Sequence, residues 1–220
     1  MRSILKALDR AYPKAACSLA HTSPLELLVA TILSAQCTDV LVNQVTPTLF
    51  ARYPKATDYA NAPLAELEKT LARVNFYRNK ARFIQETCRI LVKRHGTLVP
   101  QTMEALLELP GVARKTANVV LGNAFGIPKG VVVDTHVMRI SRRLGLSNEE
   151  DPDAIEQDLV KLLPKKRWVR FSHQIILHGR TVCQARRMRC AECPLGKELC
   201  PSYTATDTAT ETNAKIQKQR

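Results

Sequence analysis

Apolar residues recur at helical spacing along nearly the whole chain, and helix-starting and helix-ending residues punctuate the breaks between periodic stretches. Ser23-Pro24-Leu25-Glu26 forms a capping box with proline in the first turn, predicting an apolar helix through about Leu33. A helix follows from about Asp39 to Phe50, with a kink or interruption expected at Pro47. Pro63 opens another through about Val74. Tyr77 to His95 is long and periodic, closed by Gly96. Thr102 to Glu108 is short, Leu109-Pro110-Gly111-Val112 turns the chain, and a helix runs on to Phe125. Val131-Val132-Val133 is extended but too short to define a sheet. Further helices are predicted from Asp134 or Thr135 to Leu144, from Asp151-Pro152 to Pro164, and from Trp168 to about Arg180. The expected fold class is all-α. The polar, threonine-rich stretch 203–220 has no period and is expected to be unstructured.

Composition agrees with a globular helical protein. Of 220 residues, 45% are hydrophobic and only eight are glycine. No apolar run approaches the roughly 20 residues that a membrane helix needs. The start, MRSILKALDR, has no signal-type apolar core, so a cytoplasmic protein with no membrane partner is expected. Charge changes the picture more. Thirty-three Lys and Arg against 20 Asp and Glu give a net charge of +13, which points to a polyanion. From Lys165 to Arg189 there are eight basic residues and no acidic one, Arg186 and Arg187 among them, a stretch suited to phosphates.

Three constellations carry candidate chemistry. In Leu109-Pro110-Gly111-Val112-Ala113-Arg114-Lys115-Thr116, two helices meet at a Pro-Gly turn, and the free amides of the second helix could hold a phosphate. The turn could equally be a plain connection. Lys115 falls in the first turn of that second helix, where the dipole disfavours a cation; partly desolvated, it would hold more free amine as a nucleophile, and the plainer reading is an ordinary surface lysine. Asp134 is most simply a helix N-cap; the functional alternative is a carboxylate that moves protons or steadies positive charge on a sugar. Cys183, Cys190, Cys193 and Cys200 lie within 18 residues in the pattern C-x6-C-x2-C-x6-C. With one C-x2-C pair and no intervening histidine, four thiolates suit a [4Fe–4S] cluster better than zinc. Cys17, Cys37 and Cys88 read as small core residues.

The segments LPGVARKTANVVL and VVVDTHV, then LHGR ahead of the cysteines, closely resemble the endonuclease III family of base-excision DNA glycosylases. The resemblance spans roughly Leu5 to Cys200. It implies two helical domains: residues 18–128 as a six-helix domain with a helix-hairpin-helix at about 102–125, and residues 1–17 with 129–202 as the cluster domain. DNA would lie in a cleft between them. It implies that Lys115 is the Schiff-base nucleophile, that Asp134 is the catalytic carboxylate, and that Leu109, Gly111, Val112, Ala113 and Thr116 line the hairpin's contact with DNA. Gln36, in Leu33–Val40, matches the family's gap-filling glutamine, though a loop amide is the plainer reading. The implied activity is removal of oxidised or ring-saturated pyrimidines from double-stranded DNA and cleavage at abasic sites, by a monomer.

Four features depart from the family pattern, one of them a span from Lys115 to Asp134 that is one residue longer than in the commonest members, through Lys129-Gly130. Ala113 stands where many members have glycine, and a left-handed backbone there would cost about 1–2 kcal/mol. Asn75 replaces the glycine before the apolar wedge; asparagine tolerates positive φ, which leaves Phe76 as the wedge. The last cysteine spacing is six residues where five is usual. Two other functions fit parts of the pattern. An adenine-mismatch glycosylase shares the hairpin and cysteines but lacks this lysine, and a non-enzymatic DNA-binding module leaves Lys115 and Asp134 without a role.

Overall fold

A computed structural model describes residues 1–204. The expectation for 203–220 falls outside the described residues from 205 onward. The described residues divide into two compact units, Cys17–Lys129 and a second made of Met1–Ala16 with residues 130–204.

The unit Cys17–Lys129 is built from α2 (Pro24–Ser34), α3 (Asp39–Arg52), α4 (Ala56–Asn61), α5 (Leu64–Leu71), α6 (Tyr77–Arg94), α7 (Met103–Leu107) and α8 (Arg114–Ala124). Ser23 caps α2 as expected, but the return bond of the capping box is shifted by one residue. Ser23 accepts from the Glu26 amide at 3.2 Å, and the Glu26 carboxylate reaches back to the Thr22 amide. Helix α2 is apolar on all sides because it is central, with Leu27 through Leu33 buried against Leu49, Leu67, Ile84, Leu91 and Val120. Helix α3 is not interrupted at Pro47, which lies inside it. Helix α5 is shorter than predicted. The unpredicted α4 forms where Asp58 caps the Lys55 amide and buries Tyr59.

The other unit joins the N-terminal helix α1 (Arg2–Ala11) to α9 (Thr135–Arg143), α10 (Pro152–Leu162), α11 (Trp168–Thr181) and the short α12 (Gly196–Leu199). Ile4, Leu5 and Leu8 of α1 share a core with Val137, Ile140, Ile155, Leu159, Phe171 and Ile175. Val131 and Val133 are buried in this core as extended chain without forming a strand. Among the described residues the β pairing is a single bridge, Cys183 with Met188. Among these residues, too, no helix is long and apolar enough to cross a membrane.

Candidate functional site

The turn between α7 and α8 is a Pro-Gly β-turn: the Val112 amide donates to the Leu109 carbonyl at 3.1 Å, and Gly111 has φ +78°. Gly111 is required for a second reason. A Cβ there would meet the Phe83 side chain of α6 at 3.0–3.2 Å. Thr87, one turn further along α6, donates to the Pro110 carbonyl at 2.9 Å. Leu109 and Val112 are buried, so only their backbone can face a ligand, whereas Gly111 and Ala113 are exposed. Ala113 carries no left-handed strain: it is extended (φ −89°, ψ 171°) and has no capping side chain. The N-cap of α8 therefore supplies no side-chain hydrogen bond to the first turn, and a helix start of this kind can receive an anion. Lys115 is exposed in that first turn, not desolvated, and Thr116 beside it is half-buried.

Among the described residues three non-glycine residues have positive φ, and two are Gln36 (52°) and Phe76 (56°). The left-handed turn expected at Asn75 falls instead on Phe76, the N-cap of α6. The Asn75 side chain is engaged elsewhere, donating to the Gln36 carbonyl at 2.8 Å. Both Gln36 and Phe76 are exposed, Phe76 by 62%. Bulky residues held left-handed cost about 1–3 kcal/mol each and concentrate at functional sites.

Asp134 caps α9, its Oδ1 accepting from the His136 and Val137 amides at 2.9 and 2.8 Å. The simple capping reading is thus realised with one carboxylate oxygen, leaving Oδ2 outside the cap. His136, in the first turn, packs on Gly179 of α11, and burial lowers its basicity, against the pull of Asp134. The segments VVVDTHV and LHGR therefore touch through His136 and Gly179.

Arg139 and Arg143, one turn apart on α9, grip the start of the cysteine loop. Arg139 Nη2 donates to the Cys183 carbonyl at 3.0 Å. Arg143 Nη1 donates to Cys183 Sγ at 3.1 Å and to the Gln184 carbonyl at 3.0 Å. Cys183, Cys190, Cys193 and Cys200 all line one pocket, closed by Ile140, Leu144 and His178, and none is in a disulfide. Among the described residues no three His, Cys, Asp or Glu side chains converge to hold a single metal ion. Burial pushes the Cys193 and Cys200 thiols up. His178 is itself buried, bonded to the Tyr12 hydroxyl at 2.7 Å and 3.8 Å from Cys193 Sγ. Sequence reasoning missed Arg139, Arg143 and Tyr12. The four-residue spacing of the two arginines was the available signal.

The basic stretch is less open than its sequence indicates. Arg167 pairs bidentately with Asp9 of α1 at 2.7 and 2.8 Å, Arg170 lies 3.5 Å from the same carboxylate, and Arg189 pairs with Glu192 at 3.0 Å. Arg186 and Arg187 are exposed.

Residues 29–165 match the family described as HhH-GPD superfamily base excision DNA repair protein. The chain is 56% identical over 203 residues to the endonuclease III of Synechocystis sp., covering 92% of each chain. A trapped endonuclease III–DNA covalent intermediate superposes with a TM-score of 0.85 at 44% identity, covering 91% of this chain and 94% of that one. A non-covalent endonuclease III–DNA complex gives 0.86 at 42% identity, covering 96% of both. The chain belongs to the endonuclease III family of HhH-GPD base-excision DNA repair glycosylase/lyases.

Proposed function

We propose that this chain is a bifunctional DNA glycosylase and abasic-site lyase that removes oxidised or ring-saturated pyrimidines from double-stranded DNA, acting as a monomer. The observation that carries this reading is exposed Lys115, set one residue into α8 directly after a Pro-Gly turn and an N-cap, Ala113, that offers no capping side chain. The hairpin amides hold a backbone phosphate, and the lysine amine attacks the anomeric carbon of an extruded nucleotide. The damaged base leaves with the bonding electrons, and ring opening gives an imine between lysine and sugar. Loss of the C2′ proton then expels the 3′ phosphate. Asp134 supplies the carboxylate that steadies positive charge on the sugar or shuttles a proton. The likeness to a covalent endonuclease III–DNA intermediate supports the covalent step.

Gln36 and Phe76 enter the stack that the extruded nucleotide vacates, and Arg186 and Arg187 meet phosphates. Cys183, Cys190, Cys193 and Cys200 hold a [4Fe–4S] cluster. Four unpaired thiols on one pocket, with a guanidinium aimed at Cys183 Sγ, suit thiolate ligands whose charge needs a nearby donor. When bound, the cluster supplies a cross-link among four points of one loop, which fixes Arg186 and Arg187 between its first two ligands.

The test is borohydride reduction during incubation with abasic-site duplex. Wild-type protein should form a covalent protein–DNA adduct, and Lys115→Gln should bind but form none. An adduct with Lys115→Gln overturns the assignment of the nucleophile. A ring-saturated pyrimidine left intact by wild-type protein that cleaves abasic sites overturns the substrate class alone.

A further inference from the structure

We propose that Asn75 and Lys80 are positioning residues that clamp the Gln36 loop to the root of α6, so that Gln36 and Phe76 are presented to DNA as one preset pair. The inference rests on the reading of those two side chains as the ones entering the stack.

Two sets of bonds make the clamp. Asn75 Nδ2 donates to the Gln36 carbonyl at 2.8 Å, across 39 residues of sequence. Lys80 Nζ donates to the Leu33 carbonyl at 2.8 Å and to the Ala35 carbonyl at 2.6 Å. These carbonyls belong to the last turn and C-cap of α2, where helix geometry leaves acceptors unpaired and the dipole favours a cation. The loop carrying Gln36 is therefore pinned just before and at the strained residue.

The cost of this arrangement argues that it serves more than packing. Lys80 is only 5% exposed, and its ammonium donates to two neutral carbonyls. Burial lowers its basicity. A buried ammonium is expensive, and an apolar side chain would fill the space without that penalty. What the lysine adds is direction, holding two particular carbonyls on α2 against one point on α6.

Helix α6 extends the same logic. Phe76 is the N-cap, and Lys80, Phe83 and Thr87 follow at spacings of three and four residues, which puts those three along one helical face. In order from its N-cap, the helix carries the wedge, the clamp on the Gln36 loop, and the two contacts that support the hairpin turn at Gly111 and Pro110. One rigid helix sets the spacing of three loops.

Preset loops bind without first losing conformational freedom. Losing the clamp should therefore hurt the step in which the stack is invaded more than the steps after it. The test is a double-mutant cycle between Asn75→Ala and Gln36→Ala, read as single-turnover base removal from a paired lesion divided by strand cleavage at a ready-made abasic site. Asn75 is exposed, so the variant should fold. Asn75→Ala should lower the ratio by about three- to tenfold, the worth of one net hydrogen bond. In the Gln36→Ala background that loss should disappear, because the clamp acts through Gln36. A loss of equal size in both backgrounds, or no selective loss, overturns the proposal. If Gln36→Ala alone leaves the ratio unchanged, the stack-filling reading fails and the clamp with it. Lys80→Met gives an independent measurement without catalysis. Hydrogen exchange should quicken in residues 34–40 by a larger factor than in α6, and uniform quickening across the unit would assign Lys80 a purely structural role.

Discussion

A Cβ on Gly179 would stand 2.8 Å from Nδ1 and 3.0 Å from Cβ of His136, and 2.9 Å from Ile140 Cδ1. Helices α9 and α11 approach this closely only because residue 179 has no side chain. The Ile140 tip can rotate away, but His136 Cβ cannot move without α9, the helix that Asp134 caps. Gly179→Ala should cost about 1–3 kcal/mol of stability despite alanine's better helix propensity, as overpacking does. That predicts a fall in Tm of several degrees by calorimetry, together with lost base removal as α9 shifts.

Asp134→Asn separates capping from catalysis. Asparagine caps about as well as aspartate, so Tm should hardly change. Base removal should fall about 10²–10⁴-fold, the usual worth of general acid–base help. Some borohydride trapping on a preformed abasic site should survive, since Lys115 remains. A destabilised variant with full activity would reduce Asp134 to its cap.

Removing one thiol tests the metal loop. Cys190→Ser should lower bound iron and visible absorption, and should weaken DNA affinity more than the chemical step, because Arg186 and Arg187 lie on the loop. Wild-type protein prepared anaerobically with one zinc and no iron or sulfide would refute the cluster.

Arg186→Glu should weaken binding to damaged and undamaged duplex alike and flatten the dependence of affinity on salt, each lost phosphate contact removing about 0.9 from the log–log slope. Arg167→Glu should instead lower stability, because Arg167 is committed to Asp9. Equal salt slopes for wild type and Arg186→Glu would place this residue away from DNA.

The same ion pair predicts an acid limit. Hydrogen bonding from Arg167, opposed by partial burial and aided by Gln174, holds the Asp9 carboxyl down at about 2 against an ordinary 3.8. A folded pKa below the unfolded one contributes stability that is complete above the unfolded value and lost as pH falls through the folded one. Stability should therefore decline between about pH 4 and pH 2. Asp9→Asn should be less stable at neutral pH and show a shallower acid limb in urea melts. Asp9 is about one-third exposed, so solvent screening keeps the effect modest.

What the sequence determined on its own was most of what local chemistry governs, although α4 and the unbroken passage of α3 through Pro47 escaped it. The N-cap at Ser23, the stop at Gly96, the Pro-Gly turn at Gly111 and the cap at Asp134 are short-range preferences of backbone and side chain, and each forms as expected. The spacing of the four cysteines marked them as a group, and the fold lines one pocket with all four. Contacts between distant segments were not legible. The sequence shows an unbalanced basic run, and the fold brings Asp9 across 158 residues to neutralise part of it. Asn75 was read as a residue tolerating a left-handed turn, but its amide bonds the Gln36 carbonyl and the strain passes to Phe76. Lys80 looks like any helical lysine until α2 is laid against α6 and its last carbonyls face the ammonium. Propensity and capping act over a few residues and can be read along the chain; the partner of a buried charge is chosen by packing, which exists only once the chain has folded.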